Sequence, residues 1–258
     1  MSLISRTLLA ILLLAPQMAS ACGAVASATP RIMRASTAED ALTVTFLGHA
    51  SFLLETPGKI RAVTDYDGRP IPGGPPDVVT MNHAHSTHYT DHPDPRIPNV
   101  LRGWAQDGKP ADYDLTVGDL RVRNLPTNIR EWGGSGTEYY GNSIFIFESA
   151  GLCVAHLGHL HHLLTPDDLA TIGEIDALMV PVDGMYTMSH EDMAKVVDQL
   201  HPRLVLPMHY FTTDILDGFL DLMRDHYTIT MNPGHSTQIS RATLPSVPTI
   251  LVLPGSYY

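Results

Sequence analysis

The sequence has few of the features that nucleic-acid binding requires. Lysine and arginine together number 16 of 258 residues, against 27 aspartates and glutamates, so the formal net charge is −11. No cluster of basic residues with interleaved aromatic residues is present, and a nucleic-acid partner is therefore not expected. The acidity favours solubility and does not indicate a particular ligand.

Several other signatures are also missing. The apolar stretch at residues 7–16 is only about ten residues long, whereas a membrane-spanning helix needs roughly 20. Neither the GxxxxGK[ST] phosphate-binding loop nor the GxSxG of serine hydrolases occurs. There are only two cysteines. Of these, Cys153 lies in the apolar run LCVAHL, where we expect it to be buried.

The first 28 residues have the order of an export signal. Arg6 closes a short positive start, an apolar run follows, and small residues precede two plausible cleavage points, after Ala21 and after Ala28. In a weaker resemblance to a lipoprotein signal, Cys22 would carry a lipid anchor. The sequence thus predicts a periplasmic or secreted protein with one mature domain, residues 29–258.

Hydrophobic periodicity predicts strands first and then alternating strands and helices. Helix starts are expected near Thr165, Ser189 and Asp214, the first with Pro166 at its first position. This order predicts an α/β protein with sheets covered by helices. The main predicted strands are LTVTFL (42–47), SFLLE (51–55), DVVTM (77–81), LCVAHL (152–157), DALMVPV (176–182) and RLVLPM (203–208).

Histidine is abundant, with 14 residues, and it is concentrated at predicted strand ends. His83, His85 and His88 have the spacing HxHxxH directly after a buried strand. A loop in this position can direct several side chains to one point, and neutral imidazole is a good ligand for zinc and similar metals. This loop is therefore predicted to bind a metal.

Two further apolar strands also end in histidine. His159 follows Gly158 in HLGHLHH, and His209 lies in PMHY. His156, inside its strand pattern, is interpreted as a core residue, while His161 and His162 are expected to be solvated.

These blocks resemble the metallo-β-lactamase superfamily, in particular its UlaG-like and N-acylphosphatidylethanolamine phospholipase-like hydrolases. The resemblance implies a four-layer αββα sandwich with a metal centre between two sheets. It covers about residues 42–212 and is carried by TVTFLGHASFLLET, TDYDG, PDVVTMNHAHSTH, GLCVAHLGHLHHLLTPDDLATIGEIDALMVPVDGMYT and LVLPMHYF.

Some of the family's metal ligands are replaced in this chain. The ligands that match are His83, His85, His88 and His209. Thr87 stands where the HxHxDH loop has aspartate, Asn128 lies where a further histidine is expected, and His159 occupies the place of the metal-bridging aspartate.

The loss of carboxylates leaves little negative charge to balance two adjacent dications. We therefore expect one metal per chain, with ligands from His83, His85, His159 and His209 and with His88 as an alternative. Zinc is the expected metal, and iron, manganese and copper are the alternatives.

Three other residues match or replace positions in the family's blocks. Asp183, in PVDGMYT, replaces a glycine and has four possible roles: metal ligand, orientation of a histidine, general base, or turn residue. His49 and Asp65 are expected to support the site by hydrogen bonding.

The function implied by the resemblance is that of an exported metal-dependent hydrolase acting on a small-molecule ester, lactone, amide or phosphodiester. Asp183 or His88 would move the proton. Two alternatives remain open: a periplasmic metal-binding protein that has lost hydrolysis, and mononuclear iron redox chemistry.

Overall fold

The computed structural model describes residues 40–131, 133 and 135–255, in two β-sheets and three helices. The predicted leader, its cleavage points and Cys22 lie outside this range. The elements are β1 (Leu42–Gly48), β2 (Ser51–Glu55), β3 (Arg61–Val63), β4 (Val78–Met81), β5 (Asn99–Arg102), β6 (Asp114–Val117), β7 (Leu120–Arg130), β8 (Thr137–Ser149), β9 (Leu152–His156), α1 (Pro166–Ile172), β10 (Ala177–Pro181), α2 (His190–Leu200), β11 (Leu204–Met208), α3 (Thr213–Met223), β12 (Thr228–Met231), β13 (Ser236–Ile239) and β14 (Thr249–Val252).

The two sheets differ in how deeply their strands are buried. The six-stranded sheet has the order β13-β1-β2-β3-β4-β5, and β1 alternates between buried and half-buried residues, as its period-two sequence predicts. The eight-stranded sheet has the order β12-β14-β11-β10-β9-β8-β7-β6. Its central strands β9, β10 and β11 run parallel and are buried along their whole length.

Apolar side chains fill the space between the sheets and beneath the helices. Phe46 and Phe52 of the first sheet belong to the same buried cluster as Phe145 and Phe147 of the second, together with aliphatic side chains from both sheets. A second cluster joins the eight-stranded sheet to α2 and α3. The predicted α/β sandwich is confirmed. On the outer face of the six-stranded sheet, however, the described residues place irregular segments around Tyr66 and Ile97 instead of a helix.

The helix starts lie where the sequence predicts them. Thr165 caps α1 in a reciprocal capping box with Asp168, Ser189 caps α2, and Thr212 caps α3, close to its predicted start. Strands β5, β6 and β13 are not predicted by the sequence pattern. The sequence 133–142 is rich in glycine and so favours a loop, but β8 begins within it at Thr137.

Gly158 occupies a position between β9 and His159 that only glycine fits. Its φ is +59°, and a Cβ would lie 2.5 Å from both Asn142 Oδ1 and Asn82 Cβ. Both neighbours are buried and hydrogen-bonded, so they have little room to move. We expect Gly158→Ala to lower the free energy of unfolding by about 3 kcal/mol, from overpacking together with left-handed strain.

The matched control for this substitution is Gly151→Ala. Gly151 has a φ of +71°, but no atom lies within 4 Å of the place that a Cβ would take, so only the backbone strain of about 1–2 kcal/mol applies. Urea unfolding of both variants measures the difference. Equal losses in the two variants would contradict the close approach at Gly158.

Candidate metal centre

The polar side chains of the site lie at the C-terminal ends of parallel strands in both sheets. Such strand ends share one edge, so loops far apart in sequence converge there. Asp65 follows β3, the loop with His83, His85 and His88 follows β4, His159 follows β9, Asp183 follows β10 and His209 follows β11.

Three histidines form the tightest group of possible metal ligands. One ring nitrogen from each of His49, His88 and His209 lies within 4.8 Å of the others, and no other set of three or more such ligands is this close among the described residues. The Nε2 atoms of His88 and His209 are 3.1 Å apart. Nε2 of His49 is buried without a hydrogen-bond partner among the described residues. The sequence predicts only a supporting role for His49, so its place in this group is new.

Two buried carboxylates orient this group. Asp65 Oδ2 lies 2.8 Å from Nδ1 of His88, and Asp183 Oδ2 lies 2.9 Å from Nδ1 of His209. With each Nδ1–H donating to its carboxylate, the Nε2 lone pairs of the two histidines face each other. That arrangement is repulsive without a cation and typical of histidine ligands backed by carboxylates. The residues present therefore fit a metal ion.

The surroundings of Asp183 favour two of the four roles left open by the sequence, the turn residue and the orientation of a histidine. Its carboxylate accepts four hydrogen bonds, from the amides of Met185 and Thr187, the Thr187 hydroxyl and the His209 ring. The carboxylate is buried and is not part of the cavity lining. The bonds from the Met185 and Thr187 amides are those of a turn aspartate, and the bond to the ring of His209 orients that histidine. Metal ligation and general-base action by Asp183 stay predictions.

The backbone is strained at the same place. His49, Asp65 and His209 have φ values of +53°, +43° and +55°. The left-handed region is uncommon for residues other than glycine, and such residues cluster at functional sites. The amide of His209 also donates to the carbonyl of His49 at 2.6 Å, which links the first turn of one sheet to a strand end of the other.

The other predicted ligands surround a cavity of about 370 Å³ beside this group. His83 lies 2.9 Å from the Gly141 carbonyl through Nδ1, so its Nε2 is available as an acceptor or ligand. His85 and Thr87 are exposed, and Nδ1 of His85 lies 3.0 Å from the Thr87 hydroxyl. His83, His85 and His159 line the cavity but lie outside the tight group, so their role as ligands stays a prediction.

His161 differs from its expectation. It is half-buried instead of solvated, and its Nε2 lies 2.8 Å from Nδ1 of His159. The backbone amide and the side chain of Arg130 both donate to Nδ1 of His161. No sequence pattern indicates this contact, because Arg130 and His161 lie at the ends of different strands.

Four other residues have plain structural roles or none at the site. His156 is a buried core residue, as expected, and its Nε2 donates to the Ala50 carbonyl. Cys153 is buried, also as expected, and His92 is exposed. Asn128, where the family has histidine, uses its side-chain oxygen to accept from the Tyr140 amide.

Burial disfavours the charged form of four histidines of the site, His49, His88, His159 and His161. It lowers the pKa of His49 to about 3 and that of His161 to about 4. It also lowers the pKa values of His88 and His159 well below the usual range. Burial alone would raise the pKa of Asp183, but hydrogen bonds from His209 and Thr187 hold it below its ordinary value. Neutral imidazoles and an ionised carboxylate are the forms that metal binding requires.

Two aromatic side chains form part of the cavity rim. Tyr186 and Phe211 line it with ring centroids 5.6 Å apart in an edge-to-face arrangement, and both are about half exposed. Glu138 is the one carboxylate in the cavity lining of the described residues. No helix among these residues is long and apolar enough to cross a membrane.

The fold and the histidine centre define a class: a two-sheet α/β sandwich with its polar site at the strand ends between the sheets. The family model of the beta-lactamase superfamily domain matches residues 43–209. This match covers well over half of the chain, and the chain belongs to that family.

Relatives and solved structures agree with this assignment. A UPF0173 metal-dependent hydrolase from Thermococcus kodakarensis is 30% identical over 198 residues, covering 66% of this chain and 84% of that protein. One from Pyrococcus furiosus is 29% identical over 196 residues, with the same coverage of 66% and 84%. A Thermotoga maritima structure, assigned as a Zn-dependent hydrolase of the metallo-beta-lactamase superfamily, has a TM-score of 0.58 at 28% identity and covers 82% of this chain and 98% of that one.

Proposed function

We propose that this protein is an exported metal-dependent hydrolase with one metal ion per chain, held by His49, His88 and His209. The observation that carries the proposal is the convergence of their ring nitrogens, with Nε2 of His88 and His209 only 3.1 Å apart and Nε2 of His49 unpartnered among the described residues. Relatives named metal-dependent hydrolases support it. His83 and His85, on the open side, are the predicted candidates to complete the coordination shell.

Charge balance supports a single ion. The tight group contributes three neutral imidazoles, and the carboxylates in contact with it are Asp65 and Asp183, both buried. Burial raises the pKa of Asp65, so the two carboxylates supply at most two negative charges. They compensate no more than one dication and leave a second one uncompensated in a region of low dielectric constant. Thr87 supplies no further charge where the family has an aspartate.

A bound dication would supply Lewis acidity and a water of lowered pKa, which is the chemistry of ester, lactone, amide and phosphodiester hydrolysis. The chain's own residues orient the metal ligands and bind the substrate. Asp65 and Asp183 hold the two ligand rings in one tautomer, and the aromatic rim of Tyr186 and Phe211 receives an apolar part of a small-molecule substrate. Zinc suits a nitrogen ligand set, with iron, manganese and copper as alternatives.

The engagement of Asp183 and His88, the two residues predicted to move the proton, favours a second function, metal binding without hydrolysis. A general base needs a carboxylate or imidazole free to accept a proton near the substrate. Asp183 is saturated with hydrogen bonds, and Nδ1 of His88 is engaged by Asp65. Among the described residues the only lining carboxylate is that of Glu138, at the exposed rim of the cavity.

Elemental analysis of the purified protein, together with an activity panel, separates these functions. The panel contains nitrophenyl esters, lactones, anilides and bis-nitrophenyl phosphate, assayed with zinc, manganese, iron and copper. One metal per chain with turnover of at least one substrate supports the hydrolase. Stoichiometric metal without turnover supports the metal-binding function, and two metals per chain would overturn the single-ion site.

A further inference from the structure

The hydrogen-bond chain around His159 determines which of its ring nitrogens carries the proton. The chain starts at Arg130, whose backbone amide lies 3.1 Å from Nδ1 of His161 and whose Nε lies 3.2 Å from the same atom. An amide N–H and a guanidinium N–H are donors only. Nδ1 of His161 is therefore an acceptor without a proton.

The direction of the next hydrogen bond, between His161 and His159, follows from the first. A His161 ring that accepts at Nδ1 is neutral and carries its proton on Nε2. Nε2 of His161 lies 2.8 Å from Nδ1 of His159, so it donates, and Nδ1 of His159 accepts. The single proton of a neutral His159 ring is then on Nε2.

The ring that carries this Nε2–H adjoins the proposed metal centre. The His159 ring stacks on His83 at 4.9 Å and meets His88 and His209 edge-on at 5.2 and 5.1 Å between centroids. His159 lines the cavity, and among the described residues no partner bonds its Nε2. A nitrogen that carries a proton has no lone pair for a metal, but it can donate to an oxygen atom.

We propose that His159 is a hydrogen-bond donor to the carbonyl or phosphoryl oxygen of the substrate, in place of the metal-bridging ligand that the family has at this position. The role deepens the proposed hydrolase function and rests on it. As negative charge develops on that oxygen, a pre-oriented donor stabilises it more than it stabilises the ground state.

Arg130 and His161 act as positioning residues for this donor. Nη2 of Arg130 donates to the carbonyls of Met185, Tyr186 and Thr187, so the guanidinium is anchored to the loop that follows Asp183. The orientation of His159 is thereby tied to the same loop that orients His209 through Asp183.

The test uses the protein without and with zinc and begins with a readout that does not need turnover. Two-dimensional ¹⁵N–¹H correlation of the histidine rings is expected to show His159 with a protonated Nε2 and an unprotonated Nδ1, before and after zinc is added. A zinc-bound Nε2 of His159 would overturn the proposal.

Zinc affinity and kcat/KM of His159 variants then show whether His159 is a hydrogen-bond donor or a metal ligand. His159→Gln and His159→Ala are expected to bind zinc within about threefold of the parent, while kcat/KM falls by about 10²–10³ in the alanine variant and less in the glutamine variant, which keeps an N–H donor. His161→Phe should keep zinc affinity, release the tautomer of His159 and lower kcat. His92→Ala, at an exposed position, is the control.

A zinc affinity lowered tenfold or more in His159→Gln would contradict the donor role. If the parent hydrolyses nothing, the proposed function fails, but the tautomer and the zinc affinity still test His159. In that case inorganic phosphate is the probe, and its binding to the zinc protein should weaken at least tenfold in His159→Ala; unchanged binding would overturn the donor role.

Discussion

Replacing His88 by alanine is expected to lower zinc affinity by at least about 100-fold and to remove metal-dependent turnover. The substitution deletes one of three converging nitrogens and leaves Asp65 buried without its partner. Loss of an outer-sphere partner alone costs about 10–100-fold in affinity, and loss of a ligand costs more. Competition with a chromophoric chelator measures the affinity.

Variants of other residues at and away from the site show whether the loss of affinity is specific to the three proposed ligands. Asp65→Asn keeps the ring of His88 but weakens its orientation, so the affinity should fall by about 10–100-fold. His49→Ala should behave like His88→Ala, because both residues belong to the tight group. His92→Ala is the neutral control. If His83→Ala abolished zinc binding and His49→Ala did not, the metal would lie in the outer part of the cavity.

The metal-free protein is expected to unfold on mild acidification. Burial lowers the pKa values of six histidines, which are His49, His83, His88, His156, His159 and His161. In the unfolded chain they titrate near 6.5, so below that pH the unfolded state binds more protons than the folded state. Their contribution to stability is complete above about pH 6.5 and is lost as the pH falls. Each histidine contributes up to about 1.4 kcal/mol per pH unit.

Urea unfolding between pH 7.5 and 4.5, in the presence of a chelator, measures this dependence. His156 offers a control because it is buried away from the cavity lining. His156→Gln removes one titrating group, so the slope should decrease by about one proton whatever the variant's absolute stability. A stability that does not change down to pH 4.5 would show that the folded and unfolded states bind equal numbers of protons, so the pKa values of these histidines would not be lowered by folding.

Local sequence signals account for most of the fold. Period-two alternation and fully apolar runs identify β1, β2 and the parallel strands β9, β10 and β11, and Thr165 and Ser189 identify two helix starts. The strands that these signals miss are short and partly exposed. In β13, for example, only Ile239 is buried, and its place in the sheet is determined by pairing with β1 and not by its own pattern.

The candidate site is predictable as a set of strand ends but not as a coordination geometry. His88 and His209 are found because histidines follow apolar strands. His49 is missed as a ligand because a single histidine in a turn has no spacing pattern, and its left-handed backbone is visible only in the fold. The series of hydrogen bonds from Arg130 through His161 to His159 joins residues about 30 positions apart, and no local sequence pattern indicates it.

The turn at His49 and Ala50 gives the metal ion a structural role as well as a chemical one. The carbonyls of these two residues accept from the His209 amide and the His156 ring, so this turn of the first sheet is already attached to the second. A cation bound by His49, His88 and His209 would add a removable cross-link at the same point, between segments far apart along the chain. Loading the ion would then restrict the opening of the sandwich, and release of the ion would be governed by how often the two sheets separate at this edge.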